Sequence, residues 1–268
     1  MMKSELSVGV VGYGNMASAI IGGALRKGLL SAEQITVCDK SAAALDRAQK
    51  LGANTTESVG DVFAASEFIL LAVKPQQIES ALDGLRTSLK EKCVLSIVTG
   101  VTTDYLHSRL PGAYVIRVMP NTPVLLGYGA AALSLPEDLP EEYRTLALAL
   151  FSDPGVAETI PEETMNAVVA VNGSSPAYFF QLAELTCRYA ENHGIPAEQA
   201  LRLFAASMEG AAHMLTESGF SPEELRKQVC SPGGTTLAAL AAMEEGGFFE
   251  AYLAGLEACR KRSEELAH

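Results

Sequence analysis

The first residues able to do chemistry are glycines. Val8-Gly9-Val10-Val11-Gly12-Tyr13-Gly14-Asn15-Met16-Ala17 reads as an apolar strand, a tight turn and the opening of a helix. Within it lies Gly12-x-Gly14-x-x-Ala17, a dinucleotide fingerprint with alanine in third place. Gly12 makes the turn, Gly14 lets a pyrophosphate approach the chain, and Ala17 lets the helix pack on the sheet. N–H groups around Asn15 and Met16 then face the phosphates. A glycine triplet is weak evidence alone. Following an apolar strand and opening an amphipathic helix, it implies a bound nicotinamide dinucleotide; a glycine turn without a ligand is the alternative.

Asp39 ends the second apolar run, Ile35–Cys38. A carboxylate there accepts hydrogen bonds from an adenosine ribose 2′-hydroxyl, which favours NADH, and repels the 2′-phosphate of NADPH. Lys40 and Ser41 follow and could hold that phosphate, so the choice between NADPH and NADH stays open. Two further strand ends belong on the same edge. Ala72-Val73-Lys74-Pro75 leaves a buried strand, with Pro75 suited to a first helical turn. Its lysine either lines the cleft or is a solvated turn residue. Met119-Pro120-Asn121-Thr122-Pro123 makes a stiff loop. Asn121 either bonds the nicotinamide ribose or carboxamide, or forms an Asx turn that holds only the loop.

Two segments of the second half carry the remaining chemistry. Ser231-Pro232-Gly233-Gly234-Thr235-Thr236 places two glycines before a helix, so several N–H donors converge as in a carboxylate-binding nest. Read blandly, it is a capped turn. Asn172-Gly173-Ser174-Ser175-Pro176-Ala177-Tyr178 lies inside an otherwise helical stretch that Pro176 should kink or break. Such a break beside small polar residues faces a ligand or a neighbouring helix, which makes Ser175 a candidate substrate contact. No G-x-S-x-G elbow, H-E-x-x-H or P-loop lysine occurs, and hydride transfer requires none of them.

These residues need a scaffold. The runs Leu6–Val11, Ile35–Cys38, Phe68–Val73, Val94–Val98 and Tyr114–Val118 alternate with helical stretches Ala17–Lys27, Ala42–Leu51, Gln76–Leu89 and Thr103–Leu110. Gly129–Leu133 extends the sheet, Glu141–Phe151 is helical, and Val156–Thr159 is a last edge strand. The alternation predicts an α/β fold: a Rossmann domain with a mostly parallel sheet over residues 1–160. Residues 161–268 read as an all-helical domain for dimerisation and substrate binding. Its first helix, 162–192, would span about 45 Å, longer than a small domain is wide, which points to packing against a second subunit; packing against the Rossmann half of the same chain is the alternative.

Composition bounds the rest. A formal net charge of −12 over 268 residues opposes nucleic acid and anionic membranes. The five cysteines form no C-x-x-C pair and the four histidines are scattered, so no metal site is expected. No stretch reaches the roughly 18 apolar residues of a membrane span, and no signal-peptide core follows Met1. A soluble, cytoplasmic protein with reduced thiols is the expectation.

Taken in order, the five motifs make the chain resemble the pyrroline-5-carboxylate reductases, from about Leu6 to Glu265. The resemblance implies NADPH- or NADH-dependent reduction of the ring C=N of 1-pyrroline-5-carboxylate to L-proline. It implies a homodimer that exchanges C-terminal helices, with dimers assembling further into decamers in several members. It places Thr236 at the ring nitrogen, and Ser231 with the N–H groups of Gly234, Thr235 and Thr236 at the substrate carboxylate, beside Gly233. Asp39 departs from the uncharged residue of many NADPH-preferring members. Other readings are a different Rossmann imine reductase, a 3-hydroxyacid dehydrogenase, or a dinucleotide-binding protein without turnover. The hydroxyacid class needs an interdomain lysine, and Lys227 and Lys261 are the only lysines after Pro161.

Overall fold

The computed structural model describes residues 4–85, 88–152 and 155–266. Its strands are β1 (Val8–Val11), β2 (Ile35–Cys38), β3 (Asn54–Thr56), β4 (Phe68–Leu71), β5 (Cys93–Ser96), β6 (Tyr114–Pro120), β7 (Ala130–Ser134) and β8 (Val156–Thr159). They form one sheet in the order β3-β2-β1-β4-β5-β6-β7-β8. Every pairing is parallel except β6 with β7. The connecting helices are α1 (Asn15–Arg26), α2 (Ala42–Lys50), α3 (Val59–Ala65), α4 (Ile78–Leu82), α5 (Thr103–Arg109) and α6 (Glu141–Phe151). This is the expected Rossmann arrangement. The helix expected over Gln76–Leu89 is shorter: a 3-10 turn at Pro75–Gln77 leads into α4, and Arg86 and Thr87 fall outside the described residues.

Helices cover both faces, so the central strands are buried throughout. Successive side chains alternate between two cores. Val8, Val10, Phe68 and Leu70 join the helices α1, α2 and α6 in one cluster. Val11, Ile69, Leu71 and Val94 join α3, α4 and α5 in the other. β3 and α3 have no counterpart in the sequence reading. β3 is short and polar, Asn-Thr-Thr on a sheet edge, while α3 starts where Ser58 accepts from the Asp61 N–H at 3.2 Å. Gly9 explains how α3 fits: a Cβ there would lie 2.5 Å from Val62 Cγ1 and 2.8 Å from Ser66 Oγ.

After the sheet, the continuous helix expected over 162–192 does not form. A 3-10 turn (Glu162–Thr164) leads into α7 (Met165–Val168) and a π turn (Val169–Gly173), in which the Ser174 N–H donates to the Val169 carbonyl at 2.8 Å. Only then does α8 (Ser175–Asn192) begin. Pro176 lies in its first turn, where a missing N–H is harmless, so the break precedes the proline. The remaining helices are α9 (Ala197–Glu217), α10 (Pro222–Val229), α11 (Thr235–Glu245) and α12 (Phe248–Glu265).

The chain divides into two compact units, Met1–Ser174 with Ala258–His268, and Ser175–Glu257. In the first, Ser263 Oγ donates to Asn166 Oδ1 at 2.9 Å, and Cys259 packs on the cluster of Met119, Met165 and Val169. Arg117 on β6, 2% exposed, pairs with Glu162 at 2.8 Å and fastens the segment after β8 to the sheet. The second unit buries little of its apolar surface. α11 has no buried residue, and Phe180 and Leu203 are 66% and 67% exposed.

Replacing Gly9 by alanine forces α3 off the sheet or its side chains off rotamer. The expected cost is about 1–3 kcal/mol, the usual range for overpacking, read as a lowered urea midpoint at unchanged slope.

Candidate functional site

The cleft begins at Gly12. Its φ of +87° lies in the left-handed region, and its N–H donates to the Cys38 carbonyl at 2.8 Å. A Cβ there would stand 2.8 Å from the Ala72 carbonyl oxygen. Glycine is required both by conformation and by this contact with the strand end after β4. Asp39 closes the other side: one carboxylate oxygen accepts from the Tyr13 N–H at 2.6 Å and the other from the Ser41 N–H at 2.7 Å. Arg47 Nη2 adds a bond to the Tyr13 carbonyl at 3.1 Å. Tyr13 itself is a core residue, and burial pushes its phenol up.

Gly14 caps α1 in extended backbone without a side-chain cap, and no acid stands in the first turn. A Cβ at Gly14 would meet nothing within 4 Å, so the space above the turn is open. Asn15 is exposed, Met16 half-buried, and Ala17 buried under the helix. A cavity of about 460 Å³ runs from this turn along the strand ends. It is lined by Gly12, Gly14, Asp39, Lys40, Ser41, Ala72, Val73 and Lys74, all anticipated from the sequence, and also by Gln77 and Ser80. A smaller cavity of about 220 Å³ shares Ala72 and Val73 and adds Met16, Pro75, Ile97, Val98, Thr99, Met119 and Pro120. Ile97–Thr99 were missed. They end a strand on the same edge as Ala72 and Met119, and that shared edge is the signal that could have found them.

Asn121 lies between these readings. Its Oδ1 accepts from the Ala130 N–H at 2.9 Å and its Nδ2 donates to Asn172 Oδ1 at 3.0 Å. The side chain is therefore engaged in holding the loop between β6 and β7, and it does not line either cavity.

The other candidates belong to the second unit. Gly233 has a φ of +70°, and Gly234 caps α11 in extended backbone with no side-chain cap. One expectation needs correction. The Gly234 N–H donates to the Ser231 carbonyl at 2.9 Å, so it is not available to a ligand. Open donors at this terminus are the N–H groups of Thr235, Thr236 and Leu237, the first three of the helix. Ser231 and Thr235 are exposed, Thr236 is half-buried, and Ser175 is buried at the start of α8. His193, in the turn after α8, and His213, on α9, are exposed and bonded to the Tyr189 carbonyl and to Glu217. Among the described residues no group of three or more metal-ligating side chains occurs, and no helix is long and apolar enough to cross a membrane.

Residues 162–266 match the family described as pyrroline-5-carboxylate reductase dimerisation, and residues 7–100 match NADP oxidoreductase, coenzyme F420-dependent. Pyrroline-5-carboxylate reductase of Escherichia coli is 38% identical over 98% of this chain and 99% of that one. The Haemophilus influenzae protein of the same name is 39% identical over 97% of each. The chain belongs to the pyrroline-5-carboxylate reductase family. A solved pyrroline-5-carboxylate reductase from Coxiella burnetii, 32% identical, superposes with a TM-score of 0.88 over 98% of this chain and 99% of that one.

The cleft suits the nicotinamide dinucleotide that a pyrroline-5-carboxylate reductase family member binds. Gly12 and Gly14 leave a cradle that a side chain at either position would alter, one by striking Ala72 and the other by entering the open space. The uncapped start of α1 offers N–H donors to phosphates.

Those two glycines should separate in experiment. Gly12→Ala combines a left-handed residue, costing about 1–2 kcal/mol, with a clash against backbone, so both thermal stability and dinucleotide binding fall. Gly14→Ala leaves stability within about 0.5 kcal/mol but weakens binding, as read by dihydronicotinamide fluorescence titration.

Proposed function

We propose that this chain reduces 1-pyrroline-5-carboxylate to L-proline with NADPH or NADH as donor. The observation that carries the reading is the whole-length match to reductases of that name. The strand-edge cleft at Gly12 supports it, as does the donor-rich start of α11. When bound, the dihydronicotinamide supplies a hydride, which C5 of the ring accepts while the ring nitrogen takes a proton.

The chain's own residues do the rest. Gly12, Gly14, Asn15, Met16 and Ala17 receive the pyrophosphate at the start of α1. Asp39, Lys40 and Ser41 face the adenosine ribose, and Ala72, Val73, Lys74 and Pro75 line the path toward the nicotinamide. The substrate carboxylate is held by Ser231 and the N–H groups of Thr235 and Thr236, with Gly233 and Gly234 shaping the turn. Thr236 donates its hydroxyl hydrogen bond toward the ring nitrogen. A hydroxyl is a poor acid near neutral pH, so Thr236 orients the imine and relays a proton rather than acting as a strong acid.

The domains would divide at about residue 160, with the helices beyond it pairing two chains as a homodimer and dimers assembling into decamers. The exposed apolar side chains of α8, α9 and α11 support that pairing, since such a surface is otherwise costly in water. Five free cysteines suit a reducing compartment, the cytoplasm.

Mixing the protein with 1-pyrroline-5-carboxylate and either cofactor should bleach the dihydronicotinamide absorbance; no loss with both cofactors would end this assignment. Thr236→Ala should lower kcat/KM by about 10-fold to 1000-fold, the loss of one transition-state hydrogen bond, with circular dichroism unchanged. Asp39→Asn should raise the NADPH:NADH ratio of kcat/KM by about fivefold or more, because like charges about 4 Å apart near a surface repel by ~1–4 kcal/mol.

A further inference from the structure

The π turn before α8 touches the smaller cavity through Met119. The Asn172 Nδ2 donates to the Met119 carbonyl at 2.7 Å and to the Ala130 carbonyl at 3.2 Å, while its Oδ1 accepts from Asn121 Nδ2. One residue on, Gly173 packs so closely that a Cβ would lie 3.1 Å from Met119 Sδ and 3.3 Å from its Cγ. The Met119 side chain is buried against Met165 and Val169, the residues that flank the start of this turn. Met119 and Pro120 in turn form one wall of the cavity opposite Ala72 and Val73.

The extra residue of a π turn is what makes this contact possible. An i→i+5 bond widens the backbone by one residue, and such turns occur frequently at functional sites. Here the bulge brings Asn172 into the gap between β6 and β7 and leaves Gly173 facing Met119. The two asparagines close a ring of hydrogen bonds through Met119, Ala130 and each other. The wall is thus fixed by amide bonds and not by packing alone.

We infer that Asn172 and Gly173 are positioning residues for the nicotinamide ring: through Met119 and Pro120 they set the wall against which the ring lies. This rests on the cofactor reading above, in which Ala72–Pro75 lead toward the nicotinamide; the smaller cavity, which Ala72, Val73 and Pro75 also line, takes that end. The two residues touch neither the adenosine end of the cleft nor its Asp39–Ser41 wall, so they act on one end of the dinucleotide.

The test compares whole dinucleotides with fragments that lack the nicotinamide. NADPH and NADH, and their counterparts 2′-phospho-ADP-ribose and ADP-ribose, are titrated calorimetrically against the wild-type protein, Asn172→Ala and Gly173→Ala. The variants should bind the dinucleotides about tenfold more weakly, the size of one lost hydrogen bond, and bind the fragments as wild type does. The kinetic isotope effect with C4-deuterated cofactor should also change, since a displaced ring alters the transfer distance. Equal weakening of dinucleotide and fragment would show a general structural role and overturn the inference; so would no change in either. Gly173→Ala keeps the test open if Asn172→Ala fails to fold, because its conflict is only with a flexible methionine side chain. Failure of the wild-type protein to turn over substrate would count against the proposed activity, whereas a wild-type-like variant would count only against this role.

Discussion

The cleft depends on one close approach, that of Gly12 to the Ala72 carbonyl. β1 and β4 are parallel neighbours in register, Val11 beside Leu71, so the turns that follow them leave the sheet together. With φ at +87° and no room for a Cβ, only glycine lets the first turn rest on the second. Asp39, at the end of β2 on the other side of β1, holds the same turn through the Tyr13 N–H. Three adjacent strand ends thus converge on one loop. They do so where the sheet order reverses around β1, the place at which doubly wound sheets open a crevice. Asp39 consequently braces the loop and also lines the 460 Å³ cavity.

Much of this was legible because parallel strands buried on both faces leave unmistakable runs, such as Phe-Ile-Leu-Leu of β4 and Val-Gly-Val-Val of β1. The edges were not. β3 is three polar residues whose strand character comes only from pairing with β2, and no periodicity can announce it. Asn121 illustrates the harder limit. The motif marks it as polar and stiffly held, but whether it meets a ligand depends on Asn172, fifty-one residues later and placed by a π turn that no propensity encodes. The family resemblance likewise offers the Gly234 N–H to a ligand, whereas the left-handed Gly233 folds the turn back so that this N–H donates to the Ser231 carbonyl. The return of Ala258–His268 to the sheet-containing unit has no sequence mark at all, since it rests on contacts such as Ser263 with Asn166.

The helical unit shows the converse case, an apolar pattern that the described chain leaves largely exposed. An apolar stripe at helical spacing normally marks a core-facing side. In α9 the stripe exists, yet within the described chain only Ala200 of that helix is buried. Periodicity records that a face must be covered and says nothing about which chain covers it. No continuous helix runs over 162–192, since α8 starts only at Ser175, and apolar side chains of α8, α9 and α11 stand exposed.

A chain of net charge −12 that is built to receive phosphates and a carboxylate must solve the problem locally. Its helix termini show how. α3, α5 and α10 each have a side-chain cap from Ser58, Thr102 or Ser221 and an acid in the first turn, so their N–H groups and partial positive charge are already satisfied. α1, α2 and α11 have neither a side-chain cap bond nor an acid there. α1 and α2 open onto the 460 Å³ cavity at Gly14 and Ser41, and α11 opens at the Gly233 turn. Because surface charge is screened within about 8 Å at physiological salt, the acidic surplus elsewhere does little to oppose anions at these ends. The lack of a side-chain cap and of a first-turn acid at α1 and α11 therefore leaves N–H donors for an anion at the two helix starts that the glycine motifs single out.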